Sequence, residues 1–90
     1  MKQAWLQCRQ IRPGMFSDER IVTVTTTRGE DTSYFVPADT VQGDRVLVDL
    51  EEYRGVHWAT LPTDHPYHPI PVRPEELQLR GSNGRSGLRA

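Results

Sequence analysis

The sequence predicts a small all-β domain, and three features of the chain support this. Residues 45–50 and 55–61 are short runs that alternate between two faces and are joined by a turn at Gly55, which is the pattern of a β-hairpin. Residues 21–27 are all β-branched and favour a pleated strand. Five prolines between Leu61 and Pro74 exclude a helix interior or a central strand there. With 90 residues, 36% of them hydrophobic, the chain has room for one domain with a small core.

The first half of the chain contains three predicted strands. In the first, Ala4, Leu6 and Cys8 share a face, so we expect Cys8 in the core and Trp5 on the outer face. Strand propensity and turn residues predict these elements in order: a strand over Ala4–Ile11, a turn over Arg12–Gly14, a strand over Arg20–Thr27, a turn over Arg28–Asp31, and a returning strand over Thr32–Val36 that ends at Pro37.

The second half continues with the hairpin and ends in a polar tail. We expect a connector over Ala38–Asp44 that holds one helical turn, then the hairpin, a short edge strand that contains Ile70 and Val72, and a single helical turn at Pro74–Leu77. The predicted domain spans residues 1–79. Residues 80–90 are rich in Arg, Gly and Ser, and we expect them to form a disordered tail.

Short strands separated by turns at intervals of about 8–12 residues are typical of a small barrel or sandwich. Over residues 4–79 the pattern resembles SH3-like barrels, which have tight hairpins and a short helical turn near the last strand. The resemblance implies a five- to six-stranded, partly open barrel. It implies no particular activity, because function depends on sites rather than on folds.

The charge distribution bears on nucleic-acid binding. The formal net charge is −1, and without residues 80–90 the chain has 8 basic and 12 acidic side chains, a net charge of −4. A phosphate-binding surface usually has a basic excess. A nucleic-acid-binding module is therefore an alternative rather than the leading hypothesis, and it would use the tail together with Arg9, Arg12, Arg20 and Arg28.

Seven aromatic residues cannot all lie on one buried face. An exposed Trp5, with Tyr53 or Tyr67 nearby, would form a platform on which a peptide docks. We therefore assign protein binding to Trp5, Tyr53 and Tyr67. The alternative is that Tyr34, Phe35 and Trp58 belong to the core and the remaining aromatics cover its ends.

The three histidines lie within twelve residues of one another. Imidazole and carboxylate groups bind zinc and other transition metals, so a metal-dependent enzyme is a third hypothesis. Its weak candidate ligands are His57, Asp64, His65 and His68. The alternative is that these are ordinary loop side chains, since no paired ligand motif accompanies them.

We expect a non-enzymatic binding or adaptor module that acts through contacts with a partner protein and needs no cofactor. The single cysteine, Cys8, excludes a disulfide within the chain and favours a cytoplasmic location. The sequence contains no run of about 18 apolar residues, so it predicts no membrane span.

Overall fold

The computed structural model describes residues 2–63 and 69–79. These residues form nine strands and two short 3₁₀ turns, which confirms the all-β prediction. The strands are β1 (Lys2–Gln7), β2 (Gln10–Pro13), β3 (Glu19–Thr25), β4 (Asp31–Pro37), β5 (Val41–Gln42), β6 (Arg45–Tyr53), β7 (Val56–Thr60), β8 (Ile70–Val72) and β9 (Leu77–Leu79). Within this part of the chain, no helix has the length and hydropathy that crossing a bilayer requires.

The larger of two antiparallel sheets is built around β6. Its strand order is β8-β7-β6-β1-β9, and β5 pairs with the start of β6. Residues 45–50 of β6 pair with β1, and residues 49–53 pair with β7. The β6–β7 turn uses Arg54 and Gly55 at φ of 53° and 81°, so the predicted turn at Gly55 is of the kind that needs positive φ.

The smaller sheet has the order β2-β3-β4. Its β3–β4 hairpin pairs along its full length, from Glu19 opposite Pro37 to Thr25 opposite Asp31. The turn contains Gly29 at φ of 81°, a conformation that strongly favours glycine. The hairpin predicted from the β-branched run is therefore present.

The first predicted strand is not continuous. We expected one strand over Ala4–Ile11, but the chain leaves the larger sheet after β1 and enters the smaller sheet at β2. At this crossing the Cys8 N–H donates to the carbonyl of Asp44 at 2.9 Å, and the Arg9 N–H donates to the carbonyl of Thr23 at 2.7 Å. Two adjacent N–H groups between β1 and β2 therefore bond to different sheets.

The core contains buried apolar side chains from both sheets. From the larger sheet and its connections come Ala4, Leu6, Cys8, Val46, Val48, Leu50, Ala59, Leu61 and Val72. From the smaller sheet come Val22, Val24, Tyr34 and Val36. The alternation predicted for the first strand is confirmed, because Ala4, Leu6 and Cys8 are buried and Trp5 is only half-buried.

Besides the crossing, one backbone hydrogen bond joins the β3–β4 turn to the larger sheet: the Thr27 N–H donates to the carbonyl of Pro71 at 3.0 Å. In the described residues, no strand of one sheet pairs with a strand of the other. Closure into an SH3-like barrel remains a prediction.

The two short helical turns and the edge strand β8 match the sequence analysis, whereas the strands β5 and β9 were not predicted. The connector after β4 holds a 3₁₀ turn at Ala38–Thr40, and a second one lies at Pro74–Glu76. The strand β8 lies at an edge of the larger sheet, as its proline requires. The tail at 80–90 lies outside the described residues.

We expect Leu6→Ala to lower the free energy of unfolding by roughly 2–5 kcal/mol, because it leaves a cavity where the two sheets meet. The control Leu79→Ala removes the same atoms from a residue that is 41% exposed, and we expect it to lower stability by about 1 kcal/mol or less. Urea denaturation followed by tryptophan fluorescence measures both. Equal losses would contradict the placement of Leu6 in the core.

Candidate functional site

The predicted aromatic platform does not form from Trp5 and Tyr53. Trp5 lies on the outer face of the larger sheet, between Leu47 on β6 and Gln78 on β9. Tyr53 is 62% exposed at the end of β6, with the Arg54 guanidinium 5.2 Å from the centre of its ring. Leu47 and Tyr53 are six residues apart along β6, roughly 20 Å in an extended strand. Tyr67 lies outside the described residues.

The aromatic residues that the alternative interpretation places in the core divide between the two faces of the sheets. Tyr34 is buried and Trp58 is half-buried, but Phe35 is 48% exposed, so its placement in the core is wrong. The reason is the alternation of β4. Tyr34 and Val36 point into the core, and Phe35 between them points outward, opposite Ile21.

Of the four candidate arginines, Arg12 and Arg20 line one cleft, and neither Arg9 nor Arg28 lines it. The strand register places Arg20 opposite Pro13, and Arg9 lies at the crossing between the sheets. Arg9 and Arg20 are therefore not cross-strand neighbours. The Arg20 guanidinium donates to the carbonyls of Ser17 and Glu19 at 2.9 and 2.8 Å. Arg28 lies in the β3–β4 turn, at the far end of β3, roughly 20 Å away.

His57 lines a cleft of about 400 Å³ at one end of the larger sheet, together with Lys2, Glu52, Leu50 and Leu77. The other three candidate metal ligands, at positions 64, 65 and 68, lie outside the described residues. Within residues 2–63 and 69–79, no group of three His, Cys, Asp or Glu side chains is placed to hold a metal ion. The hypothesis of a metal-dependent enzyme stays untested.

The Cys8 thiol is protonated and enclosed. Burial, with a smaller contribution from the Asp44 carboxylate, raises its pKa to about 12. Its Sγ is 3.7 Å from the carbonyl of Leu6, a weak hydrogen bond. Nearby, the Gln7 amide donates to the Asp44 carboxylate at 2.8 Å, and this bond lowers the pKa of that carboxyl. A thiol in these surroundings is a core side chain and a poor nucleophile.

Sequence reasoning missed an exposed apolar surface on the smaller sheet. Met15 and Phe16, in the β2–β3 loop, are 82% and 67% exposed, and Phe35 on β4 is 48% exposed. Phe16 and Phe35 line a cleft of about 310 Å³, and Phe16 and Met15 line a second cleft of about 480 Å³. Phe16 belongs to both clefts, so the three side chains form one surface, which we call the apolar surface.

Hydrogen bonds give the β2–β3 loop a defined shape. The Gly14 N–H donates to the carbonyl of Glu19 at 3.0 Å, and the Glu19 N–H donates to the carbonyl of Phe16 at 3.1 Å. The Glu19 carboxylate also accepts the Met15 N–H at 3.0 Å. Met15 and Phe16 therefore project from a loop that its own backbone holds in place.

Gly14 leaves room for the Glu19 side chain. A Cβ added at Gly14 would lie 2.8 Å from the Cγ and Oε1 atoms of Glu19, closer than real Cβ contacts come. Any other residue would displace the carboxylate that holds Met15. The signal in the sequence was the pair Met15-Phe16, two large apolar residues between a turn and the polar run Ser17–Glu19.

Compared with protein families, with curated proteins and with solved structures, the chain has no significant match. Its geometry is therefore the basis for assigning a function.

We expect Cys8 to react with iodoacetamide at pH 8 at least about a thousandfold more slowly in the native protein than in urea, because the native thiol holds its proton. Raising the pH from 8 to 10 should speed the reaction of the native protein about 100-fold, because both values lie well below its thiol pKa of about 12. The same change should speed the reaction of the unfolded chain, whose thiol has its ordinary pKa, only about tenfold. Mass spectrometry of the alkylated product measures both rates. Fast native alkylation would contradict the enclosed thiol.

Proposed function

We propose that this chain is a small non-enzymatic protein-interaction domain whose binding site is the apolar surface formed by Met15, Phe16 and Phe35. The observation that carries the proposal is the exposure of these three large side chains beside shared clefts. Methionine and aromatic residues are enriched at protein interfaces, and exposed apolar side chains rimmed by charged residues, here Arg12, Asp18, Glu19 and Arg20 in the two clefts, mark a contact site.

The energetics favour a docking role for this surface. Each large apolar side chain that a partner removes from water contributes about 1.5–3 kcal/mol on full burial. The hydrogen bonds from Gly14, Met15 and Glu19 order the loop before any partner arrives. Binding then loses less conformational entropy than it would with a flexible loop.

The alternative functions have less support. Only Arg12 and Arg20 of the four candidate arginines share a cleft, and residues 1–79 have a net charge of −4, so the domain lacks the basic excess that a nucleic-acid interface usually has. The candidate metal ligands include only His57 among the described residues. A cytoplasmic location remains part of the proposal and rests on the single cysteine.

We expect the double substitution Met15→Ser, Phe16→Ser to abolish binding to the partner protein while the domain stays folded, because both side chains are exposed. The assay is affinity purification of the tagged domain from nuclease-treated lysate, with partners quantified by mass spectrometry. Tyr53→Ser, at a residue that is 62% exposed on the other sheet, is the control and should retain the partners. Partners that survive the double substitution would contradict the proposal, as would loss of all recovered protein on nuclease treatment.

Glu19→Ala tests whether the shape of the loop matters. It removes the acceptor of the Met15 N–H without touching an apolar side chain, and we expect affinity for the recovered partner to fall roughly fivefold, equivalent to about 1 kcal/mol. Glu19→Gln keeps an oxygen acceptor and should bind nearly as well as wild type. Isothermal titration calorimetry gives the affinities, and amide exchange at Met15 reports the loop. Equal affinities of wild type, Glu19→Ala and Glu19→Gln would show that binding does not depend on an ordered loop.

A further inference from the structure

The strand β4 is the longest unprotected edge in the described part of the fold. Sheet edges are usually protected by prolines, charges or short length, because an open edge pairs with other strands. The edge strands β2, β8 and β9 have four, three and three residues, and the first two contain Pro13 and Pro71. The strand β4 has seven residues, and although it begins at Asp31 and ends at Pro37, the five residues between them, Thr32 to Val36, contain neither a charge nor a proline.

The register of the hairpin determines which backbone groups of β4 face its open edge. The Thr26 N–H donates to the carbonyl of Glu30 at 2.9 Å, and the Ala38 N–H donates to that of Asp18 at 2.7 Å, so even-numbered residues of this strand bond to β3. In an antiparallel pair, alternate residues direct their N–H and C=O groups away from the partner strand. The backbone groups of Ser33 and Phe35 therefore point to the open edge.

The surroundings of this edge are acidic. Five carboxylates lie around it, at the start of β4, after its end, and in the cleft beside Phe35: Glu30, Asp31, Asp39, Asp18 and Glu19. Two of them accept hydrogen bonds within the protein, Asp31 from the Thr25 hydroxyl at 2.7 Å and Glu19 from the Met15 N–H at 3.0 Å, and both keep their negative charge. The same hairpin has two basic residues, Arg28 in the turn and Arg20, whose guanidinium is held by loop carbonyls. A second copy paired antiparallel would bring acidic ends together, so charge favours a basic partner over self-pairing.

We propose that the open edge of β4 takes an extended segment of a partner protein as an added strand, with basic residues at both ends of that segment and an apolar residue against Phe35. This inference rests on the proposed function and specifies the partner of the same site. Main-chain bonds to Ser33 and Phe35 supply affinity, as in other cases of β-strand addition. The cleft between Phe16 and Phe35 accepts a side chain, and the carboxylates select the charge of the flanks.

A synthetic peptide tests the proposal directly. The probe is an end-capped peptide of alternating Val and Thr, seven residues long to match β4, with two lysines at each end; the matched control has glutamates instead. We expect the lysine peptide to bind about tenfold more tightly at low salt, and the difference to shrink as salt rises. The lysine peptide should also slow hydrogen exchange of the Ser33 and Phe35 amides. The amides of Thr32, Tyr34 and Val36 are already protected in the free protein, because they bond to β3.

Substitution at Ser33 separates main-chain pairing from side-chain effects. Ser33→Pro removes the outward N–H and leaves the bonds to β3 in place, so peptide affinity should fall about tenfold or more. Ser33→Ala keeps the N–H and removes only the 2.8 Å hydrogen bond between the Ser33 and Thr23 hydroxyls, and it should bind normally. If Ser33→Pro does not fold, the exchange rates of Ser33 and Phe35 in wild type decide the question.

The outcomes separate this inference from the proposed function. Equal affinity for the lysine and glutamate peptides, or unchanged exchange at Ser33 and Phe35, would overturn the added strand. The added strand would also be overturned if a higher protein concentration alone slowed exchange of these two amides, because a second copy of the domain would then occupy the edge. If Ser33→Pro keeps the partners recovered from lysate but Met15→Ser, Phe16→Ser loses them, the proposed function stands and the strand addition is wrong.

Discussion

The fold depends on the two residues where the chain passes from one sheet to the other. Cys8 donates its N–H to Asp44 in the β5–β6 turn of the larger sheet, and Arg9 donates its N–H to Thr23 in the smaller sheet. Backbone groups need hydrogen-bond partners, and at this crossing two adjacent N–H groups find theirs in different sheets. Leu6 and Cys8 fill the space beneath this crossing. Both sheets are thereby fixed in position before any loop is considered.

The candidate site follows from that arrangement. The smaller sheet has one face against the core, and its other face and the edge at β4 meet solvent. Alternation along β4 then leaves Phe35 outside, close to the loop that carries Met15 and Phe16. The loop keeps its shape because the Glu19 carboxylate accepts a hydrogen bond from the Met15 N–H, and because Gly14 leaves room for the Glu19 side chain. The exposed apolar side chains are therefore held in place by the smaller sheet, whose other face covers the core.

Much of the fold could be predicted because alternation is a local property. The shared face of Ala4, Leu6 and Cys8 and both hairpin turns follow from periodicity and glycine placement. The change of sheet was not predicted, although the alternation breaks there: Gln10, in phase with Leu6 and Cys8, is exposed, and Ile11 packs against the core instead. In Tyr34-Phe35 two adjacent aromatics occupy opposite faces, and only the register with β3 shows which of them is buried. The distance between Trp5 and Tyr53 likewise depends on pairing between distant segments.

The apolar surface and the open edge act together because both include Phe35. A strand added at β4 would continue the smaller sheet and bring its outward side chains level with Phe35, next to the cleft that contains Phe16. Main-chain pairing is indifferent to sequence, so discrimination has to come from side chains and charge. The carboxylates around the edge supply it, since they disfavour an acidic strand, including a second β4, and favour basic flanks. An edge that attracts one class of strand and repels its own copies can remain open without leading to aggregation.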